Sequence, residues 1–386
     1  MATYAPRIVV APDKFRGSLT AVEASEIIAA GINSVLPAAQ CRLKPIADGG
    51  EGTVDAAVVA GAQRRCAIVH GPTGDLVNAN WALFDDGTAV VETAQASGLG
   101  LVEPSLSTAE RASSYGTGEV IAAALDAGAG TIIVGLGGSA TTDGGSGALT
   151  ALGLRLLDSR GRHLELGGAA LCDVAAIDSA NLDARLARVT LRLATDVTNP
   201  LLGPTGAASV FAPQKGATSD DSVQRLNRGL SRWAAVLAGQ RLTDPDTPGF
   251  GAAGGLAFGL ATLAPQATVQ SGFDLVAELI DLNDALDTAD AVVTGEGSMD
   301  EQSLRGKAPI GVLNRARQRG LAVYVLAGRI SVRTALEDRG VAAAIALCDQ
   351  AHSLQDSLDR APDLLRAAAA SAIGHLRTHQ TARRRD

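Results

Sequence analysis

The first apolar run of the chain, RIVVA (Arg7 to Ala11), reads as a buried strand. A helical pattern follows from Thr20 to Val35, opened by the capping box Thr20-Ala-Val-Glu23 and stopped by Pro37. CRLKPI predicts a second strand, and after ADGGEG a short helix is expected from about Thr53 to Val59. Strands joined by helices imply crossovers and a parallel sheet. The pattern then changes. GPTGDLVNANWALFDDGTAVVETA alternates apolar and polar residues around Asp85-Asp86-Gly87, which predicts an antiparallel hairpin. Next come a helix near Gly116 to Ala127, the strand TIIV, the loop GLGGSATTDGGSG (Gly135 to Gly147) and ALTALGLRLL, which reads as helical.

LRLAT (Leu191 to Thr195) is a further strand. The long loop after it, DVTNPLLGPTGAASVFAPQKGATSDD, carries apolar anchors, so it is expected to be ordered and functional. An amphipathic helix from about Ser222 to Leu237 precedes the Gly/Ala-rich GFGAAGGLAFGLAT. The last third returns to alternation: ADAVVTGEG, a helix near Ile310 to Arg319, AVYVLAG, VAAAIAL, and a helix near Leu364 to Arg377. The simplest organisation is α/β throughout. A discontinuous, Rossmann-like parallel-sheet domain takes residues 1–70 and 288–386, and a second α/β domain, 71–287, is inserted in it.

Composition narrows the function. With 386 residues the chain has room for two domains. A net charge of −8 argues against a nucleic-acid partner, which needs a basic face. The one basic run, Arg383 to Arg385, reads as a frayed tail. No apolar run approaches the roughly 20 residues that span a bilayer, so no membrane partner is expected. Four scattered cysteines without a CxxC argue against zinc and for reduced thiols in the cytoplasm. Arginine outnumbers lysine 29 to four, so Lys14, Lys44, Lys215 and Lys307 are candidates for places that need a compact ammonium.

Five expected strands end in a Gly- or Pro-marked loop bearing an acid, the edge where open α/β sheets bind ligands. These loops carry Asp13, Lys14, Arg16 and Ser18; Asp48, Gly49, Gly50 and Glu51; Gly137, Gly138, Ser139, Thr141, Thr142 and Asp143; Asp196 and Asn199; and Gly295, Glu296 and Asp300, with Lys307 close behind. Each acid also has a plain reading as a helix cap or turn residue. Acids, glycine loops and a few lysines together suit phosphoryl transfer, in which backbone N–H groups meet phosphate and carboxylates hold Mg²⁺. No GxxxxGK[ST] occurs, so a P-loop is excluded. Gly135-Leu-Gly137-Gly138-Ser-Ala140 approximates GxGxxA, and Asp158 lies about 20 residues on. That keeps an NAD(P)-dependent dehydrogenase of a small hydroxy acid as an alternative, beside a non-catalytic binding protein.

Taken in order, APDKFRGSLTA, PIADGGEGT, SYGTGEVI, GLGGSATTDGGSG, DVTNPLLGP, FAPQKGAT, GAAGGLAFGL and TGEGSMDEQSLRGKAPIGV resemble the bacterial type I glycerate kinases, over Ile8 to Gly328. The resemblance implies ATP- and Mg²⁺-dependent phosphorylation of D-glycerate, with 2-phosphoglycerate favoured, by a monomer or homodimer. It also implies two α/β domains, one discontinuous, with the site in a cleft between them. Two blocks depart from the family pattern: PDKFRGS stands where PDSFKGS is common, and GEGSMD where GEGRID is common. The lost arginine leaves Lys307 or Arg305 to cover its charge. Asp196, which directly follows a strand, is the expected general base. Asp48 and Glu51 are expected to contact Mg²⁺ or a substrate hydroxyl. Lys14, Lys215 and Lys307 are expected to meet phosphate or carboxylate charge. The Gly135 to Gly147 loop is read as a backbone-and-hydroxyl cradle, with glycerate favoured over ATP as its occupant.

Overall fold

The computed structural model describes residues 5–240 and 243–383, so Arg384 and Arg385 of the basic tail lie outside it. The described residues form thirteen strands: β1 (Arg7–Pro12), β2 (Gln40–Leu43), β3 (Gln63–His70), β4 (Leu76–Leu83), β5 (Thr88–Glu92), β6 (Thr131–Gly135), β7 (Arg155–Leu157), β8 (Ala176–Asp178), β9 (Thr190–Ala194), β10 (Thr268–Gln270), β11 (Ala291–Met299), β12 (Ala322–Ile330) and β13 (Ala343–Ala346). They fall into two compact units, Met1–Ala47 with Val276–Asp386, and Asp48–Leu275.

The first unit is a five-stranded sheet, β13-β12-β11-β1-β2, with every pair parallel. Counted within the unit, the strand order is 2-1-3-4-5, a doubly wound sheet whose winding reverses between β1 and β11. Parallel strands are buried on both faces, which is why Ile8, Val9, Val10 and Ala11 form an unbroken apolar run. Ile8 and Val10 pack with Ile28 and Ile32 of the helix Ala21–Val35 and with Leu365 and Ala369 of the helix Ala361–Arg383. The capping box forms as its spacing predicts: the Glu23 amide donates to Thr20 Oγ1 at 3.2 Å, and the Thr20 amide donates to Glu23 Oε2 at 2.8 Å.

The second unit holds a mixed six-stranded sheet, β10-β9-β6-β5-β4-β3. The strands β10, β9, β6 and β5 run parallel, whereas β4 and β3 are antiparallel. Its core gathers Ile132, Val134, Leu191 and Leu193 of the sheet with Leu226, Leu230 and Trp233 of the helix Asp220–Leu237. The unit boundaries fall at 47/48 and 275/276, against the sequence placement at 70/71 and 287/288. Two pairings account for the shift. The strand β3 is registered along its whole length against β4, so it belongs to the second sheet. On the return, Lys44 Nζ donates to the Ile280 carbonyl and Arg319 pairs with Asp287, which ties the segment before β11 to the first unit.

Two local readings are corrected. The run ALTALGLRLL is not one helix. The helix Ser146–Ala151 stops at Gly153, whose φ of +99° is left-handed, and Arg155–Leu157 becomes β7, paired with β8. An apolar run this short does not separate helix from strand by period. ADAVVTGEG continues as strand through Met299, so Glu296 lies within β11 rather than in a loop beyond it. No helix among the described residues is long and apolar enough to cross a membrane.

Candidate active site

Within the Asp48–Leu275 unit, the parallel strands β5, β6, β9 and β10 deliver their carboxyl ends to one edge of the sheet. The ADGGEG loop lies against that edge. Gly137 N donates to Gly49 O at 3.1 Å. A Cβ on Gly137 would stand 2.6 Å from Gly50 Cα, and one on Gly49 would stand 2.8 Å from the Ala194 carbonyl oxygen at the end of β9. These glycines are therefore needed for backbone to lie on backbone.

Asp196 sits two residues beyond β9. Its Oδ1 accepts from Ser271 Oγ at 3.0 Å and from the Gly272 amide at 2.9 Å, and its Oδ2 accepts from the Phe273 amide at 3.3 Å. It thereby holds the start of the helix Gly272–Leu279. Partial burial of the carboxylate, with Asp48 as a like charge nearby, pushes Asp196 up to about 6, although the Ser271 hydroxyl pulls the other way. The structure thus brings Asp48, Gly49, Gly50, Gly137 and Asp196 to one place.

Glu92, at the end of β5, was missed by the sequence reading. It is 1% exposed, and its Oε1 accepts from the amides of Gly52 at 3.1 Å and Val54 at 2.6 Å. It therefore caps the helix Thr53–Val59, the part sequence reading offered to Asp48. Burial pushes its carboxyl up to about 7. The available signal was an acid directly after the apolar TAVV. Reading that strand only as a hairpin arm hid its parallel pairing with β6.

The Gly135 to Gly147 loop divides in two. Gly137 and Gly138 lie at the strand edge, but Thr141, Thr142 and Asp143 are completely buried. The Thr141 hydroxyl donates to the Ala253 carbonyl at 3.3 Å. Asp143 Oδ2 accepts from the amides of Ser114 at 2.8 Å and Gly147 at 3.2 Å, and its Oδ1 accepts from the Gly145 amide at 3.1 Å. Burial raises the Asp143 carboxyl despite these bonds. The hydroxyl cradle is thus corrected. Thr141, Thr142 and Asp143 serve the interior, because the left-handed Ala253-Gly254-Gly255 stretch and Trp233 cover them, the Trp233 Nε1–H donating to Gly144 O at 2.9 Å. Only Ser139, 6% exposed, keeps a link to the edge.

Lys215 is the strut beneath. Its ammonium, 3% exposed, donates to Ser139 Oγ at 3.1 Å and to Thr141 O at 2.6 Å. Burial draws it down to about 8, while Asp143 works in the opposite sense. Asn199 is occupied within its own loop, with Nδ2 donating to Thr205 O at 2.7 Å. Glu51 is exposed.

A second cluster stands at the reversal point of the first unit. Asp13 is 5% exposed, and its Oδ1 accepts from the Lys14 amide at 2.6 Å, with Lys14 Nζ at 3.7 Å. Lys307 Nζ lies 3.7 Å from Glu296 Oε2. Gly295 lets β11 pass so close to β12 that a Cβ there would overlap the Leu326 carbonyl oxygen. Asp300 follows the turn reading. Burial alone would raise it, but the Ser303 amide, Lys307 and the Gln302 amide hold it below the usual carboxylate range. Ser18 Oγ donates to Phe15 O at 3.0 Å within its own turn. The structure therefore groups Asp13, Lys14, Gly295, Glu296 and Lys307, with Asp300 and Ser18 in adjoining turns. The side chain of Arg305 lies outside the described residues.

Asp158 does not fit a dinucleotide site. It follows β7 of the separate two-stranded sheet, and its carboxylate is committed to Arg162 at 2.8 Å.

Comparison with known proteins identifies the family. Residues 8–377 match the model of the glycerate kinase family. The chain is 44% identical over 380 residues to a glycerate kinase of Bacillus subtilis (strain 168), covering 97% of this chain and 99% of that protein. It is 44% identical over 329 residues to glycerate 2-kinase of Escherichia coli (strain K12), covering 84% and 86% of the two chains. A crystal structure from Salmonella typhimurium LT2, described as a proposed glycerate kinase 2, superposes with a TM-score of 0.84 at 40% identity, covering 98% of this chain and all of that one. The chain belongs to the glycerate kinase family.

Proposed function

We propose that the chain transfers the terminal phosphoryl group of ATP to D-glycerate, with 2-phosphoglycerate as product. The observation that carries this reading is the convergence of Asp48, Gly49, Gly50, Gly137 and Asp196 at one sheet edge, in a member of this family. Asp196 keeps acceptor capacity on Oδ2, which accepts from the Phe273 amide. It orients the glycerate hydroxyl and receives its proton as the new O–P bond forms, while the bond to the β,γ-bridging oxygen breaks and ADP departs with the electron pair. A base near 6 is largely ionised at neutral pH and close to the operating range. Turnover should therefore fall as pH drops through about 6. The Gly137-Gly138 backbone suits the glycerate carboxylate, and Lys14 and Lys307 meet phosphate charge as compact cations.

Mg²⁺ fits the acid set. The Asp48 charge raises the cost of ionising Asp196, which a divalent cation would relieve. Among the described residues no group of three or more His, Cys, Asp or Glu is poised for a metal. That suits an ion that keeps several waters and uses one or two carboxylates with nucleotide phosphates. Asp48, with Glu51, would hold it, and it would supply charge neutralisation on the transferred group. Four free cysteines suit a reducing, cytoplasmic setting.

The test is ADP formation by purified protein with Mg-ATP and D-glycerate, followed by NMR assignment of the phosphorylated hydroxyl. Glycerate-dependent ADP release with phosphate on the 2-hydroxyl is expected. Binding without turnover would favour a non-catalytic glycerate-binding protein, and cofactor reduction without ADP would favour the dehydrogenase.

A further inference from the structure

The first unit contains a cavity of about 680 Å³ that the glycerate chemistry does not use. It opens where the strand-end segments after β1 and along β11 and β12 meet, contributing Phe15, Arg16, Gly297 and Arg329. That is the crevice outside the carboxyl ends at which a 2-1-3-4-5 sheet reverses its winding, the general position of a ligand in such sheets.

The lining has two characters. One wall is apolar, from Phe15, Leu347, Leu354 and Leu358. Leu354 is 77% exposed, more than any other large hydrophobic residue among those described. An apolar side chain standing at a cavity mouth is a surface for a ligand face. The other wall is cationic. Arg16 and Arg329 border the cavity, and neither guanidinium is paired with a carboxylate among the described residues. Gly297, half-buried, also lines the cavity, and its missing side chain lets the Arg16 backbone lie against β11: a Cβ there would stand 2.9 Å from the Arg16 amide nitrogen. Arg16 is two residues along the chain from Lys14, and Gly297 directly follows Glu296, but the Asp13–Lys14 and Glu296–Lys307 pairs are not among the residues that line the cavity.

An apolar wall with a cationic rim matches a molecule with an apolar, aromatic part and a polyanionic part. The volume is in the range of small-ligand sites. We propose that this cavity takes the adenine nucleotide, with the base against Leu354 and Leu358 and the phosphates toward Arg16 and Arg329. The inference rests on the kinase reading above.

Titration calorimetry with ADP and with adenosine, on the full chain, tests it. Leu354→Asp and Arg329→Ala both change exposed side chains, so folding is retained. Leu354→Asp should weaken ADP and adenosine alike, by about 10-fold or more. Arg329→Ala should weaken ADP by a similar factor and adenosine by less than about 2-fold. If the wild type binds ADP and both variants bind it within about 2-fold of wild type, the cavity is not the nucleotide site, while the kinase reading stands. If the wild type binds no ADP and releases none from Mg-ATP and D-glycerate, both fail together.

Discussion

The two strand-end clusters place charge beside glycine backbone by different means. In the Asp48–Leu275 unit the acids Asp48 and Asp196 lie close enough at the edge for one charge to be felt by the other, and Lys215 is buried, bonded to Ser139 and Thr141. In the strand-end cluster of the other unit two lysines each stand beside an acid, Lys14 next to Asp13 and Lys307 next to Glu296. One region holds acids bonded to hydroxyl and backbone donors, and the other holds cations beside carboxylates. The glycines differ too. Gly49 and Gly137 let loops lie on loops, whereas Gly295 lets strand lie on strand. An acid pair suits a base and a divalent ion, and a set of oriented ammonium groups suits phosphate.

The largest effect should separate the two kinds of glycine. Gly295→Ala forces a methyl into the Leu326 carbonyl, so it should cost roughly 3 kcal/mol of stability or more, read from urea unfolding. Gly137→Ala pushes two edge loops apart, so it should cost turnover about 10²-fold and less stability than Gly295→Ala. Equal stability losses would erase the distinction.

Next is the strut. Lys215→Ala removes a buried ammonium that faces Asp143 and should destabilise the protein by about 3 kcal/mol. The glycerate KM should rise with it, because Ser139 loses its anchor. An unchanged unfolding midpoint would remove Lys215 from the support of this loop.

A smaller effect is expected at Glu92. Its carboxyl is raised from 4.5 to about 7 in the folded protein, so the folded state favours the protonated form. Its contribution to stability is whole below about 4.5 and is lost as pH rises through about 7. Asp196, raised to about 6, acts in the same direction. Glu92→Gln should flatten the decline between pH 4.5 and 7 by roughly 2 kcal/mol, measured from unfolding midpoints at several pH values. A variant with the wild-type pH dependence would show that Glu92 ionises freely in place.

The alternation of strands and helices, the Thr20–Glu23 capping box and the strand ends bearing Asp13 and Asp196 were all legible, because each depends on residues close in sequence, whereas Asp48 lies beyond β2 and against the second sheet. What was not legible depends on partners far along the chain. Glu92 gains its role from Gly52 and Val54, about 40 residues earlier, and from the parallel pairing of β5 with β6. Thr141 looked like a surface hydroxyl, and Asp143 like a helix cap or an acid facing outward, of which the cap is what forms. They are interior because Ser114, Ala253 and Trp233 come back to cover them. The Lys14 and Lys215 signals were equally strong in sequence, yet one ammonium stays partly open at a strand end and the other is sealed. Period and composition set the elements, but not which side of a loop its neighbours leave open.

The most direct test of the account is the rate of glycerate-dependent ADP formation by Asp196→Asn relative to wild type. The substitution keeps the shape and an acceptor oxygen toward Ser271 and the helix start, and it removes the charge and the basicity. The account predicts a fall of 10²-fold or more in kcat, with the fold and ADP affinity retained. Turnover within about threefold of wild type would contradict it, because this edge would then not act on the glycerate hydroxyl.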